Sequence, residues 1–271
     1  MKIGCSGWIY PDWNISFYRK GEKDRLKYYS SIFNAVEVNS TFYSPLPRAT
    51  LLKWARTMKG NSFSFSVKVP GSITHDNLIG RTGQACSDML KFQESHLDYL
   101  SGEGLLGAVL FQLPPYFKME HLDKLLQVIS SFDHHKFTCF VEPRHRELYG
   151  NVEFSRALSG EGIGMASVDS PELELRQNMY QGNGRQYLRF HGRNREQWYR
   201  KGAGKLEKYD YLYSRNELES FVRIISPLAS RGDEIFIFFN NHPSGKAPAN
   251  AAQMMEMFGM RPHTANQNTL F

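Results

Sequence analysis

One pattern constrains the fold of this chain more than any other. A short β-rich run, a polar or aromatic loop and then a helical stretch recur along its 271 residues. The β-rich runs lie at Lys2–Cys5, Ala35–Val38, Ser62–Lys68, Gly107–Gln112, Phe137–Glu142, Gly164–Val168, Gln186–His191 and Glu234–Phe239. Several are continuously apolar, as in Val109-Leu110-Phe111 and Ile235-Phe236-Ile237-Phe238-Phe239. Strands covered on both faces of a parallel sheet read this way, because neither face meets water. Between them, Glu120–Ser130 sets Leu122, Leu125, Leu126 and Ile129 at the spacing of a core-facing helix. Ser214-Arg215-Asn216-Glu217 has capping-box spacing and opens a helix carrying Leu218, Phe221, Val222 and Ile225. Further helices are expected over Arg48–Met58, Gln84–Leu100 and Ala249–Met257, with a short, poorly patterned one near Glu172–Met179. Eight such strand units, with no GxGxxG after any of them, favour a (β/α)8 TIM barrel over a doubly wound sheet. Barrels commonly run to about 250 residues as one unit, so a single domain over 1–271 is expected.

Cys5, Cys86 and Cys139 are too few and too scattered for a disulfide framework, and no CxxC pair suggests zinc or redox work. They fit small buried groups in a reducing compartment. Met1-Lys2-Ile3-Gly4-Cys5 enters a strand directly and resembles neither a signal nor a transit peptide, and no apolar run nears the ~20 residues that span a bilayer. A cytoplasmic protein without a membrane partner is expected. The net charge of +6 tilts the molecule towards anionic partners.

In a barrel the residues just past every strand converge on one rim, so their chemistry is read together. Ser6, Trp8, Tyr10 and Trp13 follow the first strand; Glu37 and Asn39 through Tyr43 end the second. Lys68 closes the third, with His75 in its loop, and Gln112 closes the fourth. Glu142, Arg144 and His145 end the fifth, Asp169 the sixth, His191 and Arg193 the seventh, and Asn240, Asn241 and His242 the eighth. Each alone could merely end a strand or start a turn. Convergent ionisable groups at so many strand ends are what a ligand pocket requires.

Several of these segments carry a resemblance. Gly4-Cys5-Ser6-Gly7-Trp8-Ile9-Tyr10, Val36-Glu37-Val38-Asn39-Ser40-Thr41-Phe42-Tyr43 and Phe63-Ser64-Phe65-Ser66-Val67-Lys68 do so. So do Gln112-Leu113-Pro114-Pro115, Glu142-Pro143-Arg144-His145, Tyr187-Leu188-Arg189-Phe190-His191-Gly192-Arg193 and Phe239-Asn240-Asn241-His242. From Ile3 to about Ala252 the chain resembles the YecE-like family, domain of unknown function 72. The resemblance implies a TIM barrel and leaves the activity open. The fifth block departs from the pattern: Pro143 replaces a Phe, and Leu148 stands where relatives carry a Trp.

The residues suit a barrel binding an anionic, phosphate-bearing sugar or nucleotide-like ligand at the strand ends. Glu37, Lys68, Glu142, Asp169 and His191 are the candidate catalytic groups for a hydrolase or isomerase. Carboxylates gathered together would have raised pKa values. Arg144 and Arg193 would clamp the anion, and Trp8, Tyr10, Trp13 and Tyr43 would offer flat faces. Asn39, His75, Gln112, His145, Asn240, Asn241 and His242 complete the expected ligand-binding set. A structural lattice of Glu37 with Lys68 and Glu142 with Arg144 is the competing reading, and salt-bridge partner outweighs Schiff-base chemistry for Lys68.

Two other classes compete. Glu37, Glu142, Asp169, His191 and His242 are ligand types of metal-dependent barrel nucleases and isomerases, but the interleaved cations and the lack of HxH or HExxH spacing weigh against a metal. No cofactor is expected. Arg193, Arg195, Trp198, Tyr199, Arg200, Lys201, Lys205, Lys208, Tyr209, Tyr211 and Tyr213 interleave cations with aromatics, which suits nucleic acid. The same segment reads as a lid whose tyrosines pack down, hinged at Gly202 and Gly204.

Overall fold

The computed structural model describes residues 1–175, 179 and 184–260. The expected α/β class is observed. Its strands are β1 Lys2–Cys5, β2 Ala35–Val38, β3 Ser64–Lys68, β4 Leu106–Gln112, β5 Cys139–Glu142, β6 Gly164–Met165, β7 Ser167–Asp169, β8 Arg185–Phe190 and β9 Glu234–Phe239. Every described pairing between them is parallel. One sheet has the order β1-β9-β8-β7 and the other β2-β3-β4-β5-β6. The described residues divide into two compact units, one formed by Met1–Glu37 with 167–175, 179 and 184–260, the other by Val38–Ala166.

In the first unit β9 lies between β1 and β8, with Cys5 and Phe190 both in register with Phe239. Ile3, Cys5, Tyr187, Phe190, Ile235, Ile237 and Phe239 are buried, which explains why β9 is an unbroken apolar run. Beyond the strand ends Ser6 bridges to Glu37 in parallel. The helix Arg215–Ser230 begins with the expected capping box: Ser214 Oγ accepts from the Glu217 amide at 3.4 Å, and Glu217 Oε2 accepts from the Ser214 amide at 2.8 Å. It buries Leu218, Phe221, Ile225 and Leu228. The last helix, Lys246–Met257, starts three residues earlier than its apolar pattern suggests. Gly245, in the left-handed conformation at φ 76°, redirects the chain into it.

In the second unit β4 lies between β3 and β5, and the register sets Gln112 beside Glu142. Helix Leu122–Ser130 buries Leu122, Leu125, Val128 and Ile129. Helix Arg48–Met58 buries Leu51, Trp54 and Met58, with Trp54 stacked on Phe65 at 4.8 Å. The long helix expected over Gln84–Leu100 is a continuous helical stretch with a π-helical turn at Gln93–Leu97 between Thr82–Phe92 and Asp98–Gly102. A second π-helical turn, Ser72–Asn77, occupies the loop after β3 and carries His75. Leu148 is fully buried, so the position that departs from the family pattern belongs to the core.

Two expectations need amendment. The sixth strand is not one segment: β6 pairs with β5 and β7 pairs with β8, with Ala166 between them. Of the helix expected near Glu172–Met179, residues 176–178 lie outside the described residues, and Glu172–Glu174 and Met179 are not helical. Among the described residues no helix is long and apolar enough to cross a membrane.

Candidate functional site

Three adjacent strand ends of the second unit carry one hydrogen-bonded chain. Lys68, last residue of β3, donates from Nζ to Gln112 Oε1 at 2.6 Å. Gln112, ending β4, donates from Nε2 to Glu142 Oε1 at 2.8 Å. Arg144, just past β5, places Nε 2.6 Å from the same carboxylate oxygen. Parallel register sets Gln112 beside Glu142, Lys68 reaches Gln112 from a position level with Leu110, and Arg144, two residues past Glu142, forms the expected Glu142–Arg144 pair. Lys68 also lies over the Phe42 ring at 3.7 Å, a cation–π contact in a buried setting. Thr41 holds the Lys68 backbone carbonyl by a 2.6 Å bond.

His75 stands beside this chain. Its ring meets Phe42 edge-on at 4.9 Å, and its Nδ1 lies 2.9 Å from Thr74 Oγ1. Burial, then the positive charge of Lys68, holds its pKa down at about 4; Arg144 adds to this and the Asp76 carboxylate opposes it. The imidazole is therefore neutral at physiological pH. Thr41, Phe42, Tyr43 and His75 help line a cavity of about 630 Å³ that also reaches Asp76, Lys91, Phe92 and His96. Lys68, Gln112, Glu142 and Arg144 are not among its lining residues; Phe42 and His75 connect the two. Tyr43 is 71% exposed. His145 faces Glu147 at 3.6 Å. Asn39 opens the short helix Ser40–Tyr43 without a side-chain capping bond.

The other expected residues gather in the first unit, where several have structural duties. Glu37 is fully buried and grips Arg189, 2% exposed, through two bonds: Nε to Oε2 at 2.9 Å and Nη2 to Oε1 at 2.7 Å. Tyr187 donates to the same Oε2 at 2.7 Å. The carboxylate that sequence reading pairs with Lys68 is thus held by Arg189, a residue it did not single out. Burial alone would raise the Glu37 pKa; the Arg189 charge and the bonds from Arg189 and Tyr187 outweigh it, and the pKa is lowered. This overturns the expected raised pKa, because Glu37 sits among donors rather than among carboxylates. It stays ionised and is a poor proton carrier near neutrality.

Asp169 is similarly engaged. Arg193 donates to it bidentately at 2.8 and 2.7 Å, and the buried Tyr213 hydroxyl donates at 2.8 Å. Arg193 Nη1 reaches Glu217 at 3.4 Å, and Tyr211 donates to that same carboxylate at 2.8 Å. The guanidinium expected to clamp a ligand anion therefore already clamps a protein carboxylate. The Tyr213 hydroxyl is pushed well up in pKa, by burial first and then by the Asp169 charge. In the segment after β8, Arg200 is paired with Glu207, Lys246 holds Asp210 at 2.6 Å, and Trp198 meets Tyr209 edge-on at 5.7 Å. Of the tyrosines in this segment Tyr213 is buried, whereas Tyr199 is 63% exposed.

The aromatic faces expected after β1 are mostly occupied by protein. Trp13 is fully buried, donates from Nε1 to the His242 carbonyl at 2.8 Å and packs against Tyr10, Phe17 and Tyr18. Trp8 is also buried. These two belong to the core, because an aromatic cluster after a strand end lowers its free energy most by excluding water. Tyr10 remains half-buried, stacked on His242 at 4.4 Å. Burial holds the His242 pKa at about 4. His191 Nδ1 meets Asn240 Nδ2 at 3.0 Å. Asn241 donates to the Tyr211 carbonyl at 2.8 Å and to Asn250 Oδ1 at 2.9 Å, tying the loop to the last helix. As metal ligands, Glu37 and Asp169 would each have to release an arginine.

Arg189 and Tyr187 are the engaged residues that sequence reading did not weigh for the site, while Tyr213 was read into the segment after the seventh strand and Glu217 into the capping box. The clearest available signal was Arg189 itself, a cation inside the apolar run Tyr187-Leu188-Arg189-Phe190. A charge buried there demands a buried partner.

Comparisons with known proteins agree with this architecture. UPF0759 protein YunF of Bacillus subtilis (strain 168) is 27% identical over 274 residues, covering 94% of this chain and 93% of that protein. The crystal structure of a DUF72 family protein from Thermotoga maritima is similar with a TM-score of 0.79 and 31% identity, over 95% of this chain and 98% of that one. A D-tagatose 3-epimerase-like protein shares the fold at a TM-score of 0.57 and 11% identity, over 96% of each chain. The family described as "Protein of unknown function DUF72" matches residues 2–270, and the chain belongs to that family.

Proposed function

We propose that this protein binds an anionic, phosphate-bearing sugar or nucleotide-like ligand at the carboxyl ends of β3, β4 and β5. The observation that carries the reading is the Lys68–Gln112–Glu142–Arg144 chain, which has a cation at each end and a single carboxylate between them. A phosphate accepting from Lys68 and Arg144 would gain charge-assisted bonds in a largely desolvated place. The neighbouring cavity, with Phe42, Tyr43 and His75 in its wall, has the size and aromatic character suited to a sugar or base. The likeness to a D-tagatose 3-epimerase-like protein is a likeness of fold; the sugar part of the reading rests on this cavity. Glu142, the carboxylate beside Arg144, and the neutral His75 nearby are the proposed acid–base groups of a hydrolase or isomerase at this end of the strands.

The test is thermal shift and calorimetry with inorganic phosphate, glucose 6-phosphate and glucose. At about 100-fold excess over Kd a ligand stabilises the fold by about 2.7 kcal/mol, several degrees in melting temperature. Glucose 6-phosphate should raise the melting temperature, glucose should not, and Arg144→Gln should abolish the difference. Equal shifts from the two sugars would sink the anionic reading. No shift from any of them would sink the site.

The His75 titration supplies a second expected result. A phosphate beside Lys68 and Arg144 cancels part of the field that keeps the imidazole neutral. Its pKa should therefore rise from about 4 when phosphate binds. The ring Cε1 proton resonance followed against pH, with and without phosphate, reads this directly. A pKa that stays in place on saturation would put the anion elsewhere.

A further inference from the structure

The amino ends of β5 and β6, opposite to the strand ends just described, hold a separate cluster. His134 and His135 belong to the one-turn 3₁₀ segment His134–Lys136 that precedes β5. Glu161 caps the carboxyl end of helix Val152–Gly160, shortly before β6. One ring nitrogen from each histidine and one Glu161 carboxylate oxygen all lie within 4.8 Å of one another. None of these residues takes part in the strand-end site.

His134 is 7% exposed. Its Nδ1 lies 3.3 Å from the Phe132 carbonyl, and the tautomer that donates there leaves the Nε2 lone pair available. Nε2 is buried and makes no hydrogen bond, although Glu161 Oε2 is only 3.3 Å away. At that distance an oxygen on the ring-nitrogen axis would be bonded, so Oε2 stands off the axis. Coordination by a shared ion requires that arrangement. Two ligands about 2.0–2.1 Å from a tetrahedral dication stand roughly 3.4 Å apart, with each off the other's lone-pair axis.

The surroundings suit a cation. His135 is exposed, its ring centroid 3.9 Å from that of His134, and so gives access from solvent. The end of helix Val152–Gly160 contributes the partial negative charge of its last carbonyls. The nearby Lys136 ammonium is tied to Asp133.

We propose that His134, His135 and Glu161 form a site for a divalent transition metal of the zinc class. Two imidazoles and a carboxylate suit such an ion better than magnesium or calcium, which favour all-oxygen shells. Three protein ligands leave the remaining position to water.

The experiment is calorimetric titration of the chelator-treated full chain with Zn²⁺, with Co²⁺ absorption as a report on coordination. One equivalent should bind per chain, and His135→Ala and Glu161→Gln should each weaken binding at least about tenfold. Both side chains reach solvent, so these variants keep the fold and a loss of affinity reads the site itself. Absence of stoichiometric binding, or unchanged affinity in either variant, would overturn the proposal.

Discussion

Replacing Arg189 by methionine is expected to destabilise the protein by about 3–5 kcal/mol, the cost of leaving a buried carboxylate without its cation. Glu37 has no water to turn to, being fully buried. Tyr187 would remain as a donor, but one neutral hydroxyl replaces neither guanidinium bond nor its charge. Glu37→Met alone should also be destabilising, because it removes the carboxylate that holds two of the guanidinium nitrogens. The double replacement should be far milder than the sum, because both charges then leave together. Urea unfolding of the two single variants and the double variant measures this. Additive losses would show that the pair does not act as one unit. The pH dependence has a fixed sign: the folded pKa of Glu37 lies below its unfolded value of about 4.5. The stabilisation is therefore complete above the unfolded pKa and lost as pH falls through the folded one. Arg189→Met should remove that part of the acid sensitivity.

Arg189 also shows where sequence reading stops. Its partner stands 152 residues earlier, and nothing local distinguishes Glu37 as a strut from Glu37 as an acid. The strands were more legible: β1, β2 and β9 run between their expected ends, because each is a short β-rich run closed by a polar residue, Ser6, Asn39 or Asn240. Gly164–Val168 was read as one strand because its residues are uniformly small or apolar, while the change of pairing partner at Ala166 leaves no local mark. The strand-end chemistry divided in the same way. Lys68, Gln112 and Glu142 were read together because they close neighbouring strands, and parallel register does set Gln112 beside Glu142 with Lys68 within reach. Trp8 and Trp13 were misjudged because an aromatic just past a strand reads the same whether it meets ligand or core. Arg193 was misjudged because its carboxylate, Asp169, ends a different strand.

Gly4→Ala is expected to be at least as damaging as loss of Arg189. A Cβ at Gly4 would lie 1.9 Å from the Ala35 carbonyl oxygen and 2.7 Å from the Tyr29 hydroxyl. The first obstacle is backbone and cannot swing aside. The second is fixed twice, donating to Ala35 O at 3.1 Å and accepting from the Cys5 amide at 2.7 Å. Ordinary overpacking costs about 1–3 kcal/mol, and here relief requires moving the start of β2 away from β1, so the loss should exceed about 3 kcal/mol. Gly83→Ala is the matched control. It lies within helix Thr82–Phe92, where an added Cβ meets nothing within 4 Å. That variant should stabilise by about 0.4–1 kcal/mol through a less entropic unfolded chain. Thermal melting and soluble yield of the two variants give opposite signs for the same one-methyl change. If Gly4→Ala melted within a degree or two of wild type, the close approach of β1 to Ala35 would be wrong. With it would go the placement of Ser6 beside Glu37, which depends on the same two segments running side by side.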